Sequence, residues 1–148
     1  MKKYLFIAIC LFLVLPAFAQ TAAEIEALLN MDAVSYGQAV WLVFRAADVR
    51  GMGQTEAFGF ALDQGWLPRG VQANDAAKLN GVSLLIMQAF EMRGGIFYGF
   101  TRSPHYAYRE LVYRNIIQGR SDPAMFVSGD LLLFMVNRVL AFQEVNQL

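Results

Sequence analysis

Cysteine and histidine are almost absent from this sequence of 148 residues. The one cysteine, Cys10, follows Ile9 in an apolar N-terminal segment, whereas lipoprotein modification requires a small residue at that place. No internal disulfide can form, so a packed core must stabilise the fold. The one histidine, His105, has no second soft ligand near it in the sequence, and we therefore expect no metal site.

An excess of basic charge is also missing. The sequence has 12 lysines and arginines against 12 acidic residues, and removing Lys2 and Lys3 leaves ten against 12. Neither a basic nucleic-acid footprint nor a polybasic membrane patch is present. We therefore expect no nucleic-acid partner.

Catalytic patterns are absent as well. The sequence shows no Ser/His/acid arrangement, no phosphate-cradling glycine loop and no paired carboxylates that specify acid/base chemistry. Arg109, Glu110 and Arg114 lie at helical spacing, which is typical of an exposed charged face. We expect a protein that is not an enzyme and holds no cofactor.

The first 19 residues have the pattern of a secretory signal peptide. Lys2 and Lys3 precede an apolar run from Tyr4 to Val14, and Ala17–Ala19 supplies small residues at a cleavage site before Gln20. The run is shorter than the roughly 20 residues that span a bilayer. We predict export, to a periplasm or the cell exterior, with no stable membrane anchor after cleavage.

The remaining chain repeats itself at an offset of 50 residues. Ala57–Trp66 aligns with Ala107–Ile116, and Ala77–Phe90 aligns with Val127–Leu140. A shorter third copy, Val34–Ala47, aligns with Val127–Leu140. Repeats of this kind bury their apolar faces against one another. We predict one domain of three repeats, at about residues 21–47, 53–90 and 103–142, the first abbreviated.

Each repeat is predicted to be helix, loop, helix, which makes the fold all-α. Ser35 with Gln38 forms a capping box, and Ser103 before Pro104 is a second helix start. Gly65 and Gly119 are predicted left-handed helix stops. Asn74 or Asp75 is predicted to cap the helix that follows the loop of the second repeat.

At these residues the chain resembles the S-layer homology family, a helical module often present in three copies. The resemblance covers about residues 21–142. It is carried by Asn115–Gly119, Asp122–Pro123, Phe126–Ser128 and Leu131–Arg138, with Gly65–Pro68 in the second copy. It implies a non-catalytic role in the cell envelope, often through binding of wall-linked glycan.

The chain departs from that family at one important pair of positions. Where the family has Thr-Arg, this sequence has Ser35-Tyr36, Lys78-Leu79 and Ser128-Gly129, so the arginine that the family directs at anionic sugars is missing from every copy. Arginine suits such a site because its planar fork binds carboxylate in two places. We therefore predict an envelope interaction or anchoring module that binds a protein rather than a glycan.

Wall glycan remains the alternative ligand, with a candidate site in the loops. Trp66 beside Arg69 could stack on a sugar ring, and Arg120 with Asp122 could bind polar groups in the corresponding loop. Each has a structural explanation too: a tryptophan at a helix end can close the core, and Asp-Pro forms turns.

The segment Glu91–Arg102 has no counterpart between the first two copies. It contains the helix breakers Gly94 and Gly95 and then an apolar aromatic run whose candidate contact residues are Ile96, Phe97, Tyr98 and Phe100. The run either tucks between repeats as core or is exposed, in which case it marks a contact surface for protein or membrane.

Overall fold

The computed structural model describes residues 22–49 and 51–146. These two ranges contain seven helices and no strand, so the all-α prediction is confirmed for them. The helices are α1 (22–29), α2 (Tyr36–Ala46), α3 (Gln54–Asp63), α4 (Leu79–Ala89), α5 (Ile96–Thr101), α6 (Pro104–Tyr113) and α7 (Gly129–Asn146). The predicted signal peptide, residues 1–19, lies outside the described residues.

Two of the predicted helix starts are confirmed. Gln38 N donates to Ser35 Oγ over 3.3 Å, and Ser35 N donates to the Gln38 side chain over 2.8 Å, which completes a capping box at α2. Ser103 Oγ accepts from Tyr106 N, and Pro104 is the first residue of α6. These serine side chains accept hydrogen bonds from N–H groups of the first turn, which have no carbonyl partner within the helix.

Two other boundary predictions are wrong. The helix after the second loop starts at Leu79 with Lys78 at its N-cap, because the Asp75 carboxylate instead accepts from Gln72 N inside the loop. Helix α6 ends before Gly119, at Tyr113, and Asn115 takes the left-handed conformation with φ 56°. Asparagine adopts this conformation more readily than most non-glycine residues.

Helix α4 is the central element of the core. Every residue from Gly81 to Met87 is buried, and the buried Ser83 hydroxyl donates to Leu79 O over 2.7 Å. The helix packs on α2 and α6, while α2 also contacts α3 and α7 and α5 rests on α6. A helix buried on nearly all faces explains why its sequence shows almost no polar side.

The second half of the fold follows the offset seen in the sequence. Helix α3 spans Gln54–Asp63 and α6 spans Pro104–Tyr113, each bound 50 residues further on. Helices α4 and α7 start at Leu79 and Gly129 with the same offset. Segment 47–53 joins α2 to α3, whereas the longer segment 90–103 joins α4 to α6 and contains α5.

Three backbone segments meet in a closed ring of hydrogen bonds at the centre of the fold. Val34 N donates to Val127 O over 2.8 Å, Val127 N to Ala77 O over 3.0 Å, and Ala77 N to Val34 O over 2.8 Å. All three residues are fully buried. They are also the residues that the sequence alignment of the three copies places at one position, two residues before α2, α4 and α7.

Candidate functional site

Helix α5 presents three large, exposed apolar side chains. Ile96 is 77% exposed, Phe97 69% and Phe100 89%, whereas Tyr98 is only 5% exposed. The run is therefore neither wholly core nor wholly exposed: Tyr98 packs in the core, and the other three side chains face solvent. We call Ile96, Phe97 and Phe100 the α5 ridge.

Tyr98 differs from the other three predicted contact residues because it belongs to the core. Its hydroxyl accepts a hydrogen bond from Gln88 Nε2 on α4 over 2.8 Å. Burial raises the pKa of the Tyr98 phenol, and the bond from Gln88 partly opposes that rise. Its ring also covers the backbone at Gly94, where a β-carbon would lie 2.4 Å from the ring. Tyr98 thus anchors α5 and offers little surface to a partner.

The start of α5 is fixed from the other side by α6. Glu110 Oε1 accepts from Gly95 N over 2.6 Å, and the Phe97 ring stacks on Tyr106 with centroids 5.5 Å apart. Arg114 lies 3.9 Å from the other Glu110 oxygen and donates to Arg93 O. The predicted exposed charged face on α6 is therefore wrong for Glu110 and Arg114, which hold the α5 segment in place.

Two grooves lie against helix α5. The first has a volume of about 580 Å³ and includes Trp66, Tyr98, Arg93 and Arg102 in its lining. The second, of about 360 Å³, lies between α5 and α6 and is lined by Ile96, Phe97, Tyr106, Tyr113 and the charged pair Arg109 and Glu110. Arginines thus line both grooves against helix α5, an arrangement that the spacing of 93, 102 and 109 in the sequence did not reveal.

The residues predicted for a glycan site in the loops do not form a common site in either groove. Trp66 is half-buried and packs edge-on against Phe44 and Phe60, with centroids 5.7 Å and 5.5 Å away. Asp122 Oδ1 accepts from Ala124 N over 2.7 Å, as in a turn. Arg69 and Arg120 are exposed, and neither lines the grooves beside α5. For Trp66 and Asp122 the contacts have a structural explanation.

The three positions that carry arginine in the resembled family are enclosed in this fold. Tyr36 and Leu79 are buried, and Gly129 is buried with its backbone N donating to Met31 O. The Tyr36 hydroxyl accepts from Lys78 N over 3.3 Å. The residues at these positions pack between neighbouring segments. None of the three carries a cationic group that could bind an anionic ligand.

The described residues offer no separate sign of metal chemistry or of a membrane span. No group of three or more His, Cys, Asp or Glu side chains among them could hold a metal ion. Within residues 22–49 and 51–146, every helix is too short or too polar to cross a bilayer. Comparison with protein-family models, curated proteins and solved structures finds no match to this chain.

Proposed function

We propose that this protein is an exported, non-catalytic interaction or anchoring module of the cell envelope. Its architecture would be three degenerate helix-loop-helix repeats related to the S-layer homology module. Two observations support that architecture: the 50-residue offset between the bounds of α3 and α6, and the hydrogen-bond ring that joins aligned residues of all three segments. The offset between α4 and α7 agrees with both.

The α5 ridge is the observation that carries the proposed function. Three large apolar side chains that remain exposed on a helix fixed by Tyr98 and Glu110 are costly in water unless another surface covers them. The scaffold holds them in one orientation before contact, which lowers the entropy lost on binding. We assign the ridge as the face through which the module attaches to an envelope component.

An anionic wall glycan is less well supported as that component. The arginine positions of the family are occupied by buried Tyr36, Leu79 and Gly129, and Trp66 is engaged by two phenylalanine rings. The ridge carries no polar side chain that could bind sugar hydroxyls. A protein partner, as predicted from the sequence, is compatible with the aromatic and arginine content of the face, since these residues are enriched at protein interfaces.

Fractionation of cells that produce the protein tests the proposal. We compare the wild type with a triple variant, Ile96→Ser, Phe97→Ser, Phe100→Ser, after the envelope is opened and pelleted. The wild type is expected in the envelope pellet and the variant in the soluble fraction. Phe126→Ser is the matched control, because Phe126 is 54% exposed and lines neither groove.

Two outcomes would count against the proposal. Equal release of wild type and triple variant would show that the ridge does not attach the protein. Release of the wild type only after wall-linked glycans are removed, with the same result for the triple variant, would restore glycan as the ligand. Circular dichroism of each purified variant separates a lost contact from a lost fold.

A further inference from the structure

We infer that the α5 ridge docks the protein reversibly onto an anionic phospholipid surface. Ile96, Phe97 and Phe100 enter the bilayer interface, and the arginines beside them lie against lipid phosphates. This inference rests on the proposed function, because it names the envelope component that the ridge contacts.

The shape of the ridge fits a bilayer better than a protein groove. A helix that docks in a protein groove usually supplies anchors at i, i+3 or i+4, and i+7, whereas α5 has six residues and supplies i, i+1 and i+4. The helix has two hydroxyls: that of Thr101 donates to Phe97 O over 2.8 Å, and that of the buried Tyr98 accepts from Gln88 Nε2. The ridge is therefore short and its three exposed side chains are all apolar, which suits insertion into a fluid apolar medium.

Charge is distributed unevenly between the ridge and the rest of the chain. Residues 91–114 contain four arginines and two glutamates. The rest of the chain after residue 19 has six basic residues against ten acidic ones. Opposite net charges on the two parts orient the molecule with its ridge toward an anionic surface and its acidic remainder away from it.

The arginines are placed where lipid head groups would meet them. Arg93 and Arg102 line the first groove with Tyr98 of α5, and Arg109 lines the second groove with Ile96 and Phe97. All three arginines are exposed. Glu91 also lines the first groove, but Glu110 in the second is held by Gly95 N and lies beside Arg114. Basic side chains that surround an apolar centre are typical of surfaces that bind anionic bilayers.

An exposed tyrosine extends the same face. Tyr113 on α6 is 85% exposed and lines the second groove with Phe97. Tyrosine prefers the interface between lipid tails and water, because its ring is apolar and its hydroxyl is polar. A second copy of this chain is a poor occupant, since a symmetric contact would bring the same arginines of both copies together.

Co-sedimentation with lipid vesicles tests the inference. The protein is purified after export, and its mass is checked so that no apolar signal segment contributes to binding. Binding is expected to vesicles of phosphatidylcholine with phosphatidylglycerol, to fall at high salt, and to be much weaker to phosphatidylcholine alone. The ridge triple variant is expected to bind at least about tenfold more weakly.

Two further variants, one of them with a charge-matched control, separate insertion from simple attraction of charge. Arg93→Gln with Arg102→Gln is expected to lower affinity roughly tenfold, while the exposed pair Arg69→Gln with Arg120→Gln serves as the charge-matched control. Phe97→Trp is compared with the wild type, whose fluorescence comes from Trp41 and Trp66. The added tryptophan is expected to shift to the blue on vesicles and to be quenched by brominated lipid tails. Quenching beyond that of the wild type shows that the ridge enters the bilayer.

The results distinguish this inference from the proposed function. Absent vesicle binding, or equal binding by the wild type and the ridge variant, would overturn the lipid assignment. If the ridge variant is still released from the envelope pellet, the proposed function stands and a protein partner covers the ridge. If the ridge variant also stays in the pellet, both proposals fail.

Discussion

Replacing Gly129 with alanine is expected to destabilise the protein strongly, because the start of α7 has no room for a β-carbon. A β-carbon at Gly129 would lie 1.7 Å from Leu28 O, 2.6 Å from Leu28 C and 3.2 Å from Leu29 N. All of these are backbone atoms at the end of α1, so no side-chain rotation can relieve the clash.

The magnitude follows from the displacement that the new atom requires. Moving this contact from 1.7 Å to 3.0 Å requires a separation of about 1.3 Å between α1 and α7. The Gly129 N to Met31 O bond of 2.9 Å would then be lost, at about 1 kcal/mol. Overpacking adds about 1 to 3 kcal/mol. We expect the free energy of unfolding to fall by about 2 to 4 kcal/mol, and the melting temperature by roughly 10 °C.

Gly59→Ala is the matched control for this measurement. Gly59 lies within α3, and a β-carbon there would meet nothing within 4 Å. Alanine is expected to stabilise that helix by about 0.5 to 1 kcal/mol. Urea unfolding followed by circular dichroism gives both values. If Gly129→Ala has the same free energy of unfolding as the wild type while Gly59→Ala is stabilised as expected, α1 does not approach α7 as closely as the structure shows.

The fold depends unequally on Trp66, Arg120, Glu110 and Tyr36. Trp66→Ala is expected to lower stability by about 2 to 3 kcal/mol and Arg120→Ala to change it by less than about 0.5 kcal/mol, with neither altering co-sedimentation with wall sacculi. Glu110→Gln weakens the acceptor for Gly95 N and is expected to cost about 1 kcal/mol and to speed hydrogen exchange in α5. Burial raises the pKa of Tyr36 above 10.0, so its contribution is complete below about pH 10 and is lost as the pH rises further; Tyr36→Phe should flatten the fall of the melting temperature above about pH 10.

Each of these predictions has a result that contradicts it. A Trp66→Ala protein that folds normally but no longer pellets with sacculi would identify a glycan site. Unchanged exchange in α5 after Glu110→Gln would show that this carboxylate does not hold the helix. If the melting temperatures of Tyr36→Phe and the wild type fall equally above pH 10, groups other than Tyr36 cause the loss of stability.

Sequence patterns predicted the helical elements well where one local interaction determines them. The capping box at Ser35 and the serine-proline start at Ser103 depend on residues within one turn, and both are present. The alignment offset of 50 predicted matching starts for α4 and α7. It also held the information needed to correct the end of α6, because Gly65 with φ 70° aligns with Asn115 rather than with Gly119.

The candidate site was harder to predict, because it depends on which face of helix α5 packs against the core. The run from Ile96 to Phe100 is apolar throughout, so composition could not separate the buried Tyr98 from its exposed neighbours. The partner on α4 that selects Tyr98, Gln88, is ten residues earlier in the chain. The arginines around the ridge come from three separate segments and come together only in the folded chain.

The hydrogen-bond ring formed by Val34, Ala77 and Val127 also affects how the protein unfolds and whether a segment can be deleted. In a linear array, a terminal unit can fray or be deleted while the others stay folded. Here the first segment bonds directly to the last, so each of the three segments has two hydrogen-bonded neighbours. Deleting any one leaves an open pair with unpaired buried amides. Unfolding should therefore be a single cooperative event, in which neither terminal segment unfolds before the rest.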